Sequence, residues 1–365
     1  MKIRRLRAVA LVAGLTASAI ALAGCSSAAP AAAPSATSAA PESKTLVVST
    51  FPFGVDQLKQ AVIDPFTKAT GITVQIDTGS NSDRISKLQL AAGVDPGVDV
   101  MMISDFYAAL GQKDDLFQKV DASKVPALKD IASFAKESAY DGPAYSYQLN
   151  GTLYRTDALD KKQAADWSLY GNKAYAGKLA LPDIAVTAGQ LTISGVGTAY
   201  GKGPYDVDSA FKTMHGWAPN VLQFYSSSTE VTNLITQKEI VAADALNGFA
   251  TKLVASGEPI AWTAPSKGAY MATNRAMIPK GAAHTDAAYK FIQYLLGVEA
   301  QTASAKLVGD LPVNPGATIP KEIQAVVGDI GKDPMAAGYK TLDPSKLVPT
   351  RSQWVDRFAR EVTAK

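Results

Sequence analysis

The side chains that could do chemistry in this sequence gather where short apolar runs end. Ser80, Asn81 and Ser82 would offer hydroxyls, an amide and backbone N–H groups at the start of a helix, a setting that suits a polar ligand. The same three residues would serve equally as N-caps of a helix beginning near Asp83. Asp183, behind a proline, offers a carboxylate to an amine or caps an ordinary turn. Tyr225 with Ser226, Ser227 and Ser228 forms a second hydroxyl-rich loop, either ligand-facing or merely polar. Phe51 and Phe106 could wall a cleft or sit in a core, and Lys267 and Arg84 could meet an anion or simply water. Together these groups can hold a small molecule by hydrogen bonds and ring faces.

Bond-breaking chemistry has little to work with. The chain holds two histidines, His215 and His284, and neither stands in a metal-ligand pair or beside an evident nucleophile. There is no Gly-x-Ser-x-Gly elbow, no phosphate-binding Gly-Lys-Ser/Thr loop and no zinc-type spacing. Gly195 and Gly197 are followed by Tyr200, where a dinucleotide fingerprint wants a small residue. No enzyme, metal or cofactor is therefore expected. Carboxylates from among the 33 acids could still meet in space, which keeps an exported hydrolase as the alternative reading, with a surface adhesion module as a third.

The elements that must carry these residues read as α/β. Apolar, β-branched runs at 44–50, 72–76 and 99–103 each end in a loop of small polar residues, and helical spacing fills the gaps, with Leu58, Val62, Ile63 and Phe66 in one stripe and a helix over 83–92. That is the pattern of a parallel sheet, whose ligands bind beyond the strand carboxyl ends. The pattern recurs at 178–181, 240–243 and 259–262, with Gly-rich connections between Gly195 and Gly203. A strand at 275–279 leads into a helix at 286–296 whose stripe is Ala287, Ala288, Phe291, Ile292 and Leu295. Trp354, Val355, Phe358 and Val362 mark a terminal amphipathic helix.

The first 24 residues read as a signal peptide, with Lys2, Arg4, Arg5 and Arg7 ahead of an apolar run too short to span a bilayer. The run ends in Leu22-Ala23-Gly24-Cys25, and Cys25 is the single cysteine of the 365 residues, so no intramolecular disulfide can form. Residues 25–43, rich in Ala, Pro and Ser, would be a flexible tether. Taking those four basic residues from the 36 present, against 33 acidic, turns the formal charge of +3 into −1. A near-neutral chain makes no electrostatic case for nucleic acid.

The Leu-Ala-Gly-Cys motif resembles the bacterial lipobox, which implies a lipid on Cys25 and an anchor in the outer face of the cell membrane. The runs Asp64 to Val74, Asp99 to Ser104 and Ala276 to Leu295 resemble the extracellular solute-binding proteins of ABC importers, most of all the spermidine/putrescine-binding branch, over nearly all of residues 44–320. The resemblance implies a two-lobe periplasmic-binding-protein-like fold of type II, each lobe a mostly parallel sheet flanked by helices and joined by a two-segment hinge. Lobe one would be 44–150 plus 263–300 and lobe two 151–262 plus 301–365, with crossings near Tyr147–Thr152 and Trp262–Lys267. A monomer is expected, with a small polar solute, polyamine-like or otherwise, and the permease as partners. Ser49, Thr50 and Phe51 match the first binding loop, Ser104 and Phe106 the third-strand exit, and Asp183 an acidic position of lobe two. Where the polyamine branch has Trp-x-Asp, this chain has Ala272, Thr273 and Asn274, and a family Trp ahead of an Asn-Gly pair is Leu246 before Asn247 and Gly248. The binding set expected is thus Ser49, Thr50, Phe51, Ser80, Asn81, Ser82, Ser104, Phe106, Asp183, Tyr225, Ser226, Asn247, Lys267 and Asn274.

Overall fold

A computed structural model describes residues 44–91 and 94–364. The signal segment, Cys25 and the tether lie outside the described residues.

Eleven strands are described: β1 (Thr45–Thr50), β2 (Thr73–Thr78), β3 (Val100–Ser104), β4 (Phe117–Gln118), β5 (Ala144–Arg155), β6 (Leu179–Pro182), β7 (Val221–Tyr225), β8 (Ala242–Leu246), β9 (Ile260–Thr263), β10 (Met271–Pro279) and β11 (Leu311–Pro312). They join in the order β2-β1-β3-β10-β5-β8-β6-β7. At one end β1 runs parallel to β2 and β3, and at the other β6 runs parallel to β7 and β8. The two central strands, β5 and β10, are antiparallel to their neighbours. Helices flank both ends, and the fold is α/β with two lobes.

The twelve residues of β5 make the join. Its first half, through Leu149, pairs with β10, whereas Asn150 to Tyr154 pair with β8 and Thr152 to Arg155 with β9. The chain returns between β9 and β10 and, after β11, crosses once more to the terminal helix, whose Arg357 meets Asp208 and whose Phe358 meets Phe211, so three segments rather than the expected two connect the halves. Composition hid β5: its run carries Ser146, Gln148, Asn150 and Thr152 among tyrosines, too polar to read as a strand, yet all but Gln148 are buried between neighbours.

The Gly195–Gly203 connection proves to be the end of a helix, Thr187–Tyr200, buried along ten successive residues. Its glycines permit close packing: a Cβ at Gly195 would lie 2.7 Å from the Trp167 ring and 2.9 Å from the Gly268 carbonyl oxygen. Elsewhere the periodic stripes became core. Phe291 meets Phe66 edge to face at 5.2 Å, and burial of such a ring contributes roughly 1.5–3 kcal/mol. In the helix Pro344–Phe358, Trp354 and Phe358 are buried as expected, but Val355 turns outward, and Arg351 is buried in the stripe instead. Residues from 301 through β11, expected with the second lobe, pack on the first: the helix Val298–Leu307 lies on the turn Lys59–Ile63, and β11 pairs with β5 at Ser146 and Tyr147.

Candidate ligand-binding cleft

Strand exits from both lobes open into one cleft of about 630 Å3. Thr50 and Phe51 follow β1, Ser80, Asn81 and Ser82 follow β2, and Ser104 and Phe106 close β3. Across from them stand Thr187 and Gln190 after β6, Tyr225 and Ser226 to Ser228 after β7, and Leu246 and Phe249 after β8. Tyr145, Gln148, Ala272, Asn274 and Asp310 also line it. Ten of the fourteen residues expected from sequence are thereby brought together, from segments up to 224 positions apart, between Thr50 and Asn274.

Hydrogen bonds hold the first wall in place. Arg84, wholly buried, donates from Nη1 to the carbonyls of Met102 (2.7 Å) and Ser49 (3.3 Å), and from Nη2 to Asn81 Oδ1 (2.9 Å). The Asn81 amide in turn donates to Ser104 Oγ at 3.2 Å. Burial pulls the Arg84 guanidinium down to about 10, so it stays charged at neutral pH. Its carbon lies 5.0 Å from the ring of Phe51, which stacks on the exposed Phe53. Arg84 is therefore a strut under the cleft floor.

The serine loops combine capping with a place on the cleft wall. Ser80 Oγ donates to Asp83 Oδ2 (2.7 Å) and accepts from the Asp83 N–H (3.2 Å), a capping role, while still lining the cleft. In the second loop the Ser226 N–H and hydroxyl donate to Glu230 (2.7 and 3.0 Å), which holds that carboxyl below its ordinary range. Tyr225 lines the cleft with its ring, and its hydroxyl donates to the Asp244 carbonyl at 2.8 Å.

Four expected residues do not line the cleft. Ser49 is buried and donates to Asp77 Oδ2 at 2.8 Å, because alternation along β1 turns it away from the strand exit. Asp183 accepts from the Ala185 N–H at 2.7 Å and shapes the turn. Asn247 is buried and accepts from the Leu149 N–H at 2.7 Å, tying β8 to the crossing strand. Lys267 is exposed, and its backbone oxygen takes the Trp167 indole N–H at 2.8 Å.

The residue that sequence reading missed is Asp310. Among the described residues it is the one charged side chain that lines the cleft. Gly309-Asp310 reads in sequence as a plain turn, and Gly309 does adopt φ +93, which only glycine adopts readily. It is the pairing of β11 with Ser146 and Tyr147 that carries Asp310 to the cleft. The Ser146 and Gln148 side chains hydrogen-bond to its carboxyl, and Asn274 Nδ2 donates to Ser146 Oγ at 3.1 Å. Burial pushes Asp310 up to about 6 against those hydrogen bonds. At neutral pH the site therefore presents a poorly solvated carboxylate framed by tyrosine and phenylalanine rings, an arrangement suited to an organic cation.

A cleft at strand carboxyl ends, between two α/β lobes that the chain crosses between, is the arrangement of a periplasmic binding protein. The chain belongs to the bacterial extracellular solute-binding protein family, which it matches over residues 61–328. It is 26% identical to spermidine/putrescine-binding periplasmic protein 1 of Haemophilus influenzae over 310 residues, 82% of each chain, and 26% identical to the spermidine/putrescine-binding periplasmic protein of Escherichia coli over 256 residues, 68% of this chain and 72% of that one. Among solved structures, an ABC transporter protein from Clostridium perfringens superposes with a TM-score of 0.76 at 28% identity, covering 87% of this chain and 99% of that one. The spermidine/putrescine substrate-binding protein of Streptococcus pneumoniae superposes with a TM-score of 0.69 at 21% identity, over 88% and 100%. The protein is a solute-binding component of an ABC transporter. Its relatives are periplasmic, and no helix among the described residues is long and apolar enough to cross a membrane.

Proposed function

We propose that the cleft captures a small polar organic solute bearing a protonated amine, and that closure over it, without covalent chemistry, presents the solute to the permease. The observation that carries this reading is Asp310, the one charged side chain lining the cleft among the described residues, set among aromatic rings. That relatives bind spermidine or putrescine supports an amine as the recognised group. The lobes would be 44–150 plus 263–300 and 151–262 plus 301–365, except that the pairing of β11 with β5 favours taking 301–312 with the first. A ligand stabilises the closed form only by the difference between its affinities for closed and open states, so a solute reaching both walls is required. Export behind the signal peptide, lipidation at Cys25 and a monomer on a tether complete the proposal.

The test is thermal unfolding with amines, amino acids, sugars, phosphonates, thiamine and ferric iron. A ligand at about 100 times its Kd adds roughly 2.7 kcal/mol. An amine hit lost in Asp310→Asn supports the reading; stabilisation confined to sugars or ferric iron refutes it.

A further inference from the structure

We infer that the solute is a zwitterion, whose ammonium group is taken by Asp310 and whose anionic group, a carboxylate, is taken on the opposite wall by the start of the helix Thr187–Tyr200 with Arg351 behind it. The inference rests on the amine reading above and adds the second recognised group.

The two walls differ in chemistry. Asp310 supplies the negative charge on the first. A diamine would bring a second ammonium group to a wall that holds Thr187, Gln190, hydroxyls and rings, with no further carboxylate lining it. That wall offers hydrogen-bond donors instead. The 14-residue helix Thr187–Tyr200 starts at the cleft with no side-chain cap, since the residue ahead of it is Val186, and its first N–H groups carry the positive end of the helix dipole. Arg351 reaches the same place from the terminal helix and is only 9% exposed. Its Nη2 donates to the Ile184 carbonyl at 2.6 Å, and its Nη1 has no partner. With the Gln190 amide turned to put its oxygen toward the guanidinium, that oxygen accepts from Nε at 2.9 Å and Nη2 at 3.2 Å. The Gln190 NH2 group is then a donor at the cleft wall.

Among the described residues no carboxylate lies within ion-pair distance of this guanidinium, although the charge of Asp183 acts on it from the preceding turn. Asp183, on the preceding turn, accepts from the Ala185 N–H. Asp105 shares a small cavity with Gln190 and Thr187, but its oxygens accept from the Phe106 N–H (2.7 Å) and the Thr273 N–H (2.8 Å), and its charge is balanced by Arg275. A carboxylate at the start of the helix would thus meet backbone and Gln190 donors in front of a buried guanidinium whose Nη1 is unsatisfied. One molecule bridging the two walls would also favour closure.

The test is titration calorimetry of the protein with length-matched probes of three to six carbons: monoamines, diamines, amino carboxylates with terminal amines, and the α-amino acids. An amino carboxylate is expected to bind at least tenfold more tightly than the diamine and the monoamine of equal length. Gln190→Glu, nearly isosteric, puts a negative charge against Arg351 and should reverse that order, and Arg351→Gln should erase the preference. If Arg351→Gln fails to fold, Gln190→Glu carries the test. A wild-type protein that binds diamines as tightly as amino carboxylates, through Asp310, overturns the zwitterion and leaves the amine reading standing. Binding that Asp310→Asn leaves unchanged overturns both.

Discussion

Asp244 should make the stability of this protein fall as pH rises from about 4 to about 7. The side chain is fully buried on β8. Its Oδ1 accepts from the Thr192 hydroxyl and from Asn150 Nδ2, the latter at 2.8 Å, whereas Oδ2 has no partner. Burial outweighs the two hydrogen bonds and pushes the carboxyl from 3.8 up to about 7. In the unfolded chain the group ionises near its ordinary value, so between the two values the folded state binds more protons and folding weakens with each rise in pH. A gap of roughly 3 pH units at 1.36 kcal/mol each amounts to about 4 kcal/mol, fully present below about pH 4 and lost by about pH 7. Unfolding entropy near 2 cal/mol/K per residue over about 320 folded residues is about 0.7 kcal/mol per kelvin, so the loss corresponds to about 6 °C in Tm. Asp244→Asn cannot ionise. Other groups titrate alike in both proteins, and so the Tm of the variant minus that of the wild type should grow by about 5 °C between about pH 4.5 and about pH 8, since part of the loss has already occurred by about pH 4.5. The static cost of exchanging an oxygen for an amide shifts both ends of that comparison equally. A difference that stays constant within about 1 °C would refute the reasoning, because it would mean that the buried carboxyl ionises as readily folded as unfolded.

Three further outcomes follow from the same structure. Because burial raises Asp310 to about 6, the affinity for an amine solute should be flat above about pH 7 and fall as the pH drops through 6, approaching tenfold per pH unit; calorimetry at several pH values checks this, and Asp310→Asn should weaken binding at neutral pH and remove the dependence. Gly151→Ala would place a Cβ 2.4 Å from the Thr263 carbonyl oxygen and 2.5 Å from the Trp262 ring, at the crossing between the lobes; a loss of roughly 1–3 kcal/mol is expected by thermal or denaturant unfolding. Cys25→Ser should release the protein from membranes into the soluble fraction while leaving solute affinity unchanged, and a variant that stays membrane-bound after a high-salt wash would contradict lipid anchoring at that residue.

The parts of the fold that were legible in the sequence are those that local periodicity encodes. Strands at 45–50, 73–78 and 100–104 fell within two residues of expectation, because β-branched runs ended in glycine- and serine-rich loops. The loops Ser80 to Ser82 and Tyr225 to Ser228 were recognisable for the same reason, since strand exits in such sheets face the ligand. Two elements broke the pattern. β5 pairs on both edges along its length, so its polar residues are buried and satisfied by neighbours rather than alternating toward solvent. The helix Thr187–Tyr200 is buried on every side, so its small residues read as a loop when the packing against Trp167 and Gly268 is unseen.

The sequence by itself determined the α/β class, the family and the hydroxyl loops that rim the cleft, because side-chain period and turn residues act over a few positions. Only the tertiary structure decided which charges meet. Asp310 lies 164 positions from Ser146 and 36 from Asn274, and the β11–β5 and β10–β5 pairings bring the three together. Arg351 and Gln190, expected by no motif, meet because the terminal helix docks where the second lobe's buried helix begins. Electrostatic contacts of this kind carry no sequence period, since any spacing serves once the chain has closed, and the same closure turned Asp183 and Lys267 away from the cleft.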